Sequence, residues 1–83
     1  MSNLKLIEEG LNEYLDITLA INNCEEIHQL AELDMRIHSF EKEYTPFKLD
    51  FHGKSIHYLC SDLYLRSHLR VDKINLTYKT NKK

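Results

Sequence analysis

A change in hydrophobic periodicity at Pro46, the only proline, constrains the fold of this chain more than any other feature. Before Pro46, apolar residues recur at steps of three and four, which is the period of an amphipathic helix. After it, apolar and polar residues alternate at steps of two, which is typical of a strand with one buried face. Because a proline pushes the preceding residue out of the helical region, Pro46 is expected to end the last helix. The chain therefore divides into a helical part, 1–46, and a strand part, 47–79.

The helical part predicts two helices packed as an antiparallel hairpin. The pair Asn22-Asn23 interrupts the helical period, and Asn23 with Glu26 three residues later fits a capping box that opens the second helix. The apolar stripe of the first helix comprises Leu4, Ile7, Leu11, Tyr14, Thr18 and Ile21, and that of the second comprises Leu30, Leu33, Ile37, Phe40 and Tyr44. Two such helices joined by a short polar break are expected to pack side by side with opposite directions.

The strand part predicts four antiparallel strands. Its clearest run extends over 63–71, where Leu63, Leu65 and Leu69 alternate with polar residues. Two-residue turns at 52–53, 61–62 and 72–73 would place the apolar residues of neighbouring strands on one face of the sheet. A helix over the same run would scatter its arginines around the apolar side, which favours the strand interpretation.

The predicted fold class is therefore α+β. The helical hairpin packs on one face of a four-stranded antiparallel β-meander, within a single domain of 83 residues that ends in a basic tail at 80–83. The alternative is a mostly α fold with a third helix at about 55–70.

Composition excludes several classes of function. No apolar run approaches the roughly 20 residues of a membrane span, and the first residues have neither the basic nor the apolar region of a signal peptide. Two cysteines provide no disulfide framework, so a cytoplasmic protein with reduced thiols is expected. Two glycines exclude a glycine-rich phosphate loop. With no convergent acid, base or nucleophile, we expect neither an enzyme, nor a cofactor, nor a small-molecule substrate.

Two short motifs have the ligand types of a zinc site. They are Cys24-x3-His28 and His57-x2-Cys60. On the predicted sheet, His57 and Cys60 point to opposite faces and cannot bind one ion together. We therefore expect no metal site, although the helical alternative would remove this objection.

Charge is distributed unevenly along the chain and predicts a binding surface. Residues 1–46 hold ten acidic and three basic side chains, net −7, whereas residues 47–83 hold three acidic and eight basic, net +5. On the predicted sheet, an outward cluster of mostly basic side chains would face solvent, where like charges across strands are unfavourable without a partner. This candidate site comprises Lys48, His57, Tyr64, Arg66, His68, Arg70 and Lys79. The alternative is that these residues only keep an exposed sheet soluble.

The expected function is a small protein-binding module, acting as a regulator, adaptor or inhibitor of a larger protein. The partner is another protein, with a second copy of the chain included. The alternative is a nucleic-acid-binding module, which the net charge of −2 and the single outward aromatic residue, Tyr64, disfavour. Abundant Lys, Asn, Ile and Tyr with little Ala are typical of AT-rich genomes such as those of viruses and mobile elements.

Overall fold

A computed structural model describes the backbone of residues 3–81 and the side chains as far as Leu76. The described residues form three α-helices: α1 (Asn3–Asn23), α2 (Ile27–Tyr44) and α3 (Ile56–Asn81), with a 3₁₀ turn at Thr45–Phe47. Tyr14 contacts Asp62, and the carbonyl oxygen of Cys24 accepts a hydrogen bond from Arg70. The first contact joins earlier residues of α1 and α3, and the second joins the residue after the end of α1 to a later residue of α3. Helix α3 therefore runs parallel to α1, and α2 runs opposite to both.

The predicted β-meander over 47–79 is wrong, and so is the α+β fold class. Between residues 3 and 81 the structure contains no strand, and most of the predicted sheet is the single helix α3. The alternative that the sequence left open, a third helix at about 55–70, is the one that the structure has, extended to Asn81. The predicted turns at 61–62 and 72–73 lie inside this helix. The predicted basic tail lies partly in α3, and Lys82 and Lys83 are outside the described residues.

The pattern of buried residues in α3 has the spacing of a helix. The side chains that face α1 and α2 are Ile56, Leu59, Cys60, Leu63 and Ser67, with Val71 and Ile74 partly buried above them. These positions recur at steps of three and four, as one face of a helix requires. Ser67 is only 2% exposed, and this small polar residue interrupts the apolar pattern in the sequence. Leu65 and Leu69, which the strand interpretation placed in the core, are 55% and 56% exposed.

Pro46 lies just after α2, where the backbone tightens into the 3₁₀ turn. The predicted capping box is not formed, because α1 continues through Asn23 and Glu26 precedes α2 without a side-chain cap. The predicted turn at His52-Gly53 is present in the connection to α3. Both residues have positive φ, 55° and 88°, and the backbones of Phe51 and Lys54 on either side exchange two hydrogen bonds.

Phe51 closes one end of the core. Its ring is 1% exposed and lies edge-on to Tyr44, with ring centroids 6.3 Å apart. On the other side it approaches α1 at Gly10, where an added Cβ would lie 2.6 Å from Cε1 of the Phe51 ring. The contact therefore requires a residue without a side chain at position 10.

Replacing Gly10 with alanine is expected to destabilise the protein even though alanine favours helices by about 1 kcal/mol. The Phe51 ring must move within a packed core, at a cost of about 1–3 kcal/mol. Urea unfolding should therefore give a lower midpoint for Gly10→Ala than for the wild type. Asn12→Ala, at an exposed position of α1, is the matched control and should be neutral or slightly stabilising.

A pair of leucine variants tests the orientation of α3 directly. Leu63 is fully buried and Leu65 is more than half exposed, so Leu63→Ala should lower the free energy of unfolding by about 2–5 kcal/mol. For the monomer at low protein concentration, Leu65→Ala should change it by no more than about 0.5 kcal/mol. Urea unfolding of the two variants measures both values. Equal losses would contradict the helix, because a strand would place both side chains on the same face.

Candidate partner-binding surface

Helix α3 carries a second row of apolar side chains on the side away from the core. We call it the outer stripe: Tyr58, Leu65, Leu69 and Leu76, which are 56%, 55%, 56% and 67% exposed. Steps of seven, four and seven bring these residues to one side of a helix. We call the α3 residues that face α1 and α2 the buried row. Tyr58, Leu65 and Leu69 each lie two residues after a member of that row. Two residues correspond to a rotation of about 200° around the helix axis, so these side chains point away from the core.

Helix α1 extends this apolar surface beside α3. Leu11 lines the cleft between the two helices, and Leu15 and Leu19 follow it at steps of four on the same side of α1. Leu15 and Leu19 are 55% and 59% exposed. Because Tyr14 lies level with Asp62 and Cys24 with Arg70, Leu19 lies roughly level with the turn of α3 between Leu65 and Leu69.

A polar cluster joins the two helices in the cleft between the outer stripe and α1. The Tyr14 hydroxyl donates a hydrogen bond to Oδ2 of Asp62 at 2.6 Å, and Nε of Arg66 donates to the same oxygen at 2.7 Å. The residues line an open cleft of about 360 Å³ together with Lys54 and Tyr58. The ammonium group of Lys54 also lies over the Tyr58 ring, 5.7 Å from its centroid.

The cluster shifts the acid–base properties of its members. Burial alone would raise the pKa of Asp62. Hydrogen bonds from Tyr14 and Arg66, with the positive charges of Arg66 and Lys54, outweigh burial and hold the pKa below its usual value of 3.8. Burial and the Asp62 carboxylate both raise the pKa of Tyr14, so this hydroxyl stays a donor at neutral pH.

The residues of the predicted basic face do not share one face. His57 and Tyr64 lie on the side of α2, where Nδ1 of His57 is 2.6 Å from Oε2 of Glu41 and Tyr64 adjoins Met35. Arg66 lies on the opposite side, against α1. Partner binding by the predicted set stays a prediction, without the common surface on which it was based.

The remaining predicted site residues also have separate surroundings. Nε of Arg70 donates to the Cys24 carbonyl at 2.7 Å, and His68 lies 3.8 Å from Asp72. Lys48 belongs to the connection before α3, with a φ of 50°. The side chain of Lys79 is outside the described residues.

The two motifs with zinc-ligand types lie at different levels of the bundle. Cys24 is level with Arg70, ten residues or about 15 Å along α3 from Cys60. Cys60 is buried, and burial together with the nearby Glu41 charge raises the pKa of its thiol to about 12. Among the described side chains, no three His, Cys, Asp or Glu residues are grouped to hold a metal ion.

Sequence reasoning missed the outer stripe because two helical rows overlap in α3. The buried row and the outer stripe are offset by two residues at Ile56 and Tyr58, Leu63 and Leu65, and Ser67 and Leu69. Reading both rows together produces alternation at steps of two. The spacing 58, 65, 69 and 76 was the signal that could have separated them.

Comparison with known proteins adds no relative: no protein-family model, curated protein or solved structure matches this chain. None of the helices that the structure describes is long and apolar enough to cross a membrane.

The Asp62 cluster makes stability depend on pH. Since the pKa of Asp62 is lowered by folding, its contribution is present above the ordinary aspartate pKa and is lost as pH falls through the folded value. Asp62→Asn should lower the free energy of unfolding at pH 7 by about 1 kcal/mol. The variant should also lose less stability than the wild type between pH 5 and pH 2.

Urea unfolding at several pH values measures this difference, with Asp72→Asn as the control because Asp72 is an exposed aspartate of the same helix. An identical pH profile for Asp62→Asn and the wild type would contradict a structural role for the cluster.

Proposed function

We propose that this chain is a non-enzymatic protein-interaction module that binds its partner through the outer stripe of α3, with Leu15 and Leu19 of α1 beside it. The observation that supports the proposal is the alignment of the exposed apolar residues. Single exposed leucines are common on soluble proteins, but several exposed apolar residues aligned on one helix face are typical of a binding surface. A helix with apolar residues on two opposite sides has one side that its own core does not cover.

The energetics favour burial of this row by a partner. Each leucine of the outer stripe keeps more than half of its surface in water, so covering it is worth on the order of 1 kcal/mol. Asp62 and Arg66 lie between this row and α1, in the cleft that Leu11 and Tyr14 also line, and their charges are paired with each other. Protein–protein interfaces combine apolar side chains with polar groups that are already hydrogen-bonded.

The module would act as a regulator, adaptor or inhibitor, either by covering a binding site on a larger protein or by linking two larger proteins. The structure describes no feature that favours the nucleic-acid alternative. Arg66 and Arg70, the arginines on which that alternative depends, are already bonded to Asp62 and to the Cys24 carbonyl. Phosphate binding by either residue would compete with these contacts.

A capture experiment tests the proposed surface. Tagged wild-type protein is incubated with a lysate of its own host cells beside Leu65→Glu/Leu69→Glu, and retained proteins are identified and purified. Binding of each purified protein is then measured by calorimetry. We expect the double variant to weaken binding at least tenfold, because it places two charges in the apolar centre.

Met35→Glu is the matched control, since Met35 is 72% exposed but lies on α2, away from the outer stripe. Circular dichroism should give the same helical signal for both variants. If the double variant binds as well as the wild type, or if Met35→Glu weakens binding equally, the outer stripe is not the binding surface.

A further inference from the structure

The spacing of the outer stripe is the same in both directions. Its steps of seven, four and seven are symmetrical about the midpoint between Leu65 and Leu69. If a second α3 packs against it in the opposite direction about that midpoint, Leu65 meets the partner's Leu69, and Leu69 meets the partner's Leu65. Farther out, Tyr58 lies level with the partner's Leu76. Each apolar side chain therefore faces another apolar side chain, as knobs-into-holes packing requires.

Helix α1 fits the same two-fold axis. Leu19 lies level with the midpoint of the stripe, so the rotation that pairs the two α3 helices also brings Leu19 opposite the partner's Leu19. Leu15 follows one turn away on the same side of α1. The pairing therefore uses two helices from each copy and forms a four-helix layer in which every exposed leucine named here is covered.

The charged side chains beside the outer stripe are compatible with antiparallel α3 helices. The two-fold rotation brings Lys73 level with the residue beside the partner's Asp62. Both side chains lie on the α1 side of the stripe, because Asp62 contacts Tyr14 and Lys73 lies seven residues after Arg66 of the same cleft. Asp62 already accepts hydrogen bonds from Tyr14 and Arg66 of its own chain, so the partner's Lys73 would join an existing polar cluster.

The available area suits a dimer. Helix α1 has 21 residues, so the face that it forms with the adjoining part of α3 is roughly 30 Å long and 20 Å wide. A projected area on the order of 600 Å² is comparable with the ~800 Å² per partner of a standard interface.

We propose that the partner of the outer stripe is a second copy of this chain, joined as a two-fold dimer with antiparallel α3 helices. This inference rests on the proposed function, because it names the partner of the same surface.

Sedimentation equilibrium over a wide range of protein concentration tests the dimer. The wild-type mass should rise from 9.9 kDa to twice that value with increasing concentration. Leu65→Glu/Leu69→Glu should stay monomeric, Leu19→Glu should raise the dissociation constant at least tenfold, and Met35→Glu should behave as the wild type. A wild-type monomer at all concentrations, or a dimer that survives the double variant, would overturn the inference.

Cross-linking tests the direction of the helices while leaving the stripe intact. His68→Cys places a thiol close to the two-fold axis, whereas Ser61→Cys places one on the same side of α3 but two turns away. A short bis-maleimide should therefore link His68→Cys to its own copy and leave Ser61→Cys unlinked. The wild type is the control, since Cys24 and Cys60 are both buried. Equal linking of the two variants would indicate parallel helices and would contradict the antiparallel dimer.

The two proposals can fail separately. A monomer that binds a different protein through the outer stripe would overturn the second-copy inference and leave the proposed function supported. A monomer with no partner sensitive to Leu65→Glu/Leu69→Glu would overturn both.

Discussion

The bundle has one core, and α3 carries two rows of apolar side chains. Packing of one row, centred on the fully buried Leu63, against α1 and α2 sets the rotation of α3 about its own axis. That rotation leaves Leu65 and Leu69 facing solvent on the opposite side. The exposed surface is therefore a geometric consequence of the core, and no rotation of α3 could bury both rows within one chain.

Contacts along the bundle hold the three helices together. At one end, Phe51 fills the space that Gly10 leaves open and packs on Tyr44. Between α1 and α3, Asp62 accepts hydrogen bonds from Tyr14 and Arg66. Between α1 and α2, Arg36 forms a two-bond contact with Glu13, at 2.9 and 3.0 Å. These contacts join all three helices, and the outer surface is consequently presented on a supported scaffold.

The sequence predicted the parts of the fold where a single row of apolar residues determines one helix. The steps of three and four before Pro46 correspond to α1 and α2, and His52-Gly53 turns as its residue types require. Prediction failed in α3 because alternation at steps of two can arise from two superimposed helical rows as well as from a strand. Burial distinguishes these cases, and burial depends on tertiary packing that a periodicity does not contain.

The candidate surface was missed for the same reason. The sequence predicted a binding surface from basic residues that alternate with leucines. In the structure, Arg66, His57 and Arg70 each bond to another residue of the same chain. Two of the leucines assigned to the core, Leu65 and Leu69, face outward, whereas Leu63 is buried as expected. Once α3 is known to be a helix, the spacing of Leu65 and Leu69 relative to Leu63 is sufficient to identify the outer stripe.

The central claim is that α3 has one face for the core and another for a partner. Methyl-resolved NMR spectra of the leucines, recorded over a range of protein concentration, test it most directly. The account predicts that the methyl resonances of Leu19, Leu65 and Leu69 shift together as concentration rises, while those of Leu63 and Leu30 stay constant. Concentration-dependent shifts confined to residues away from the outer stripe, or none at all, would contradict a dimer through this face.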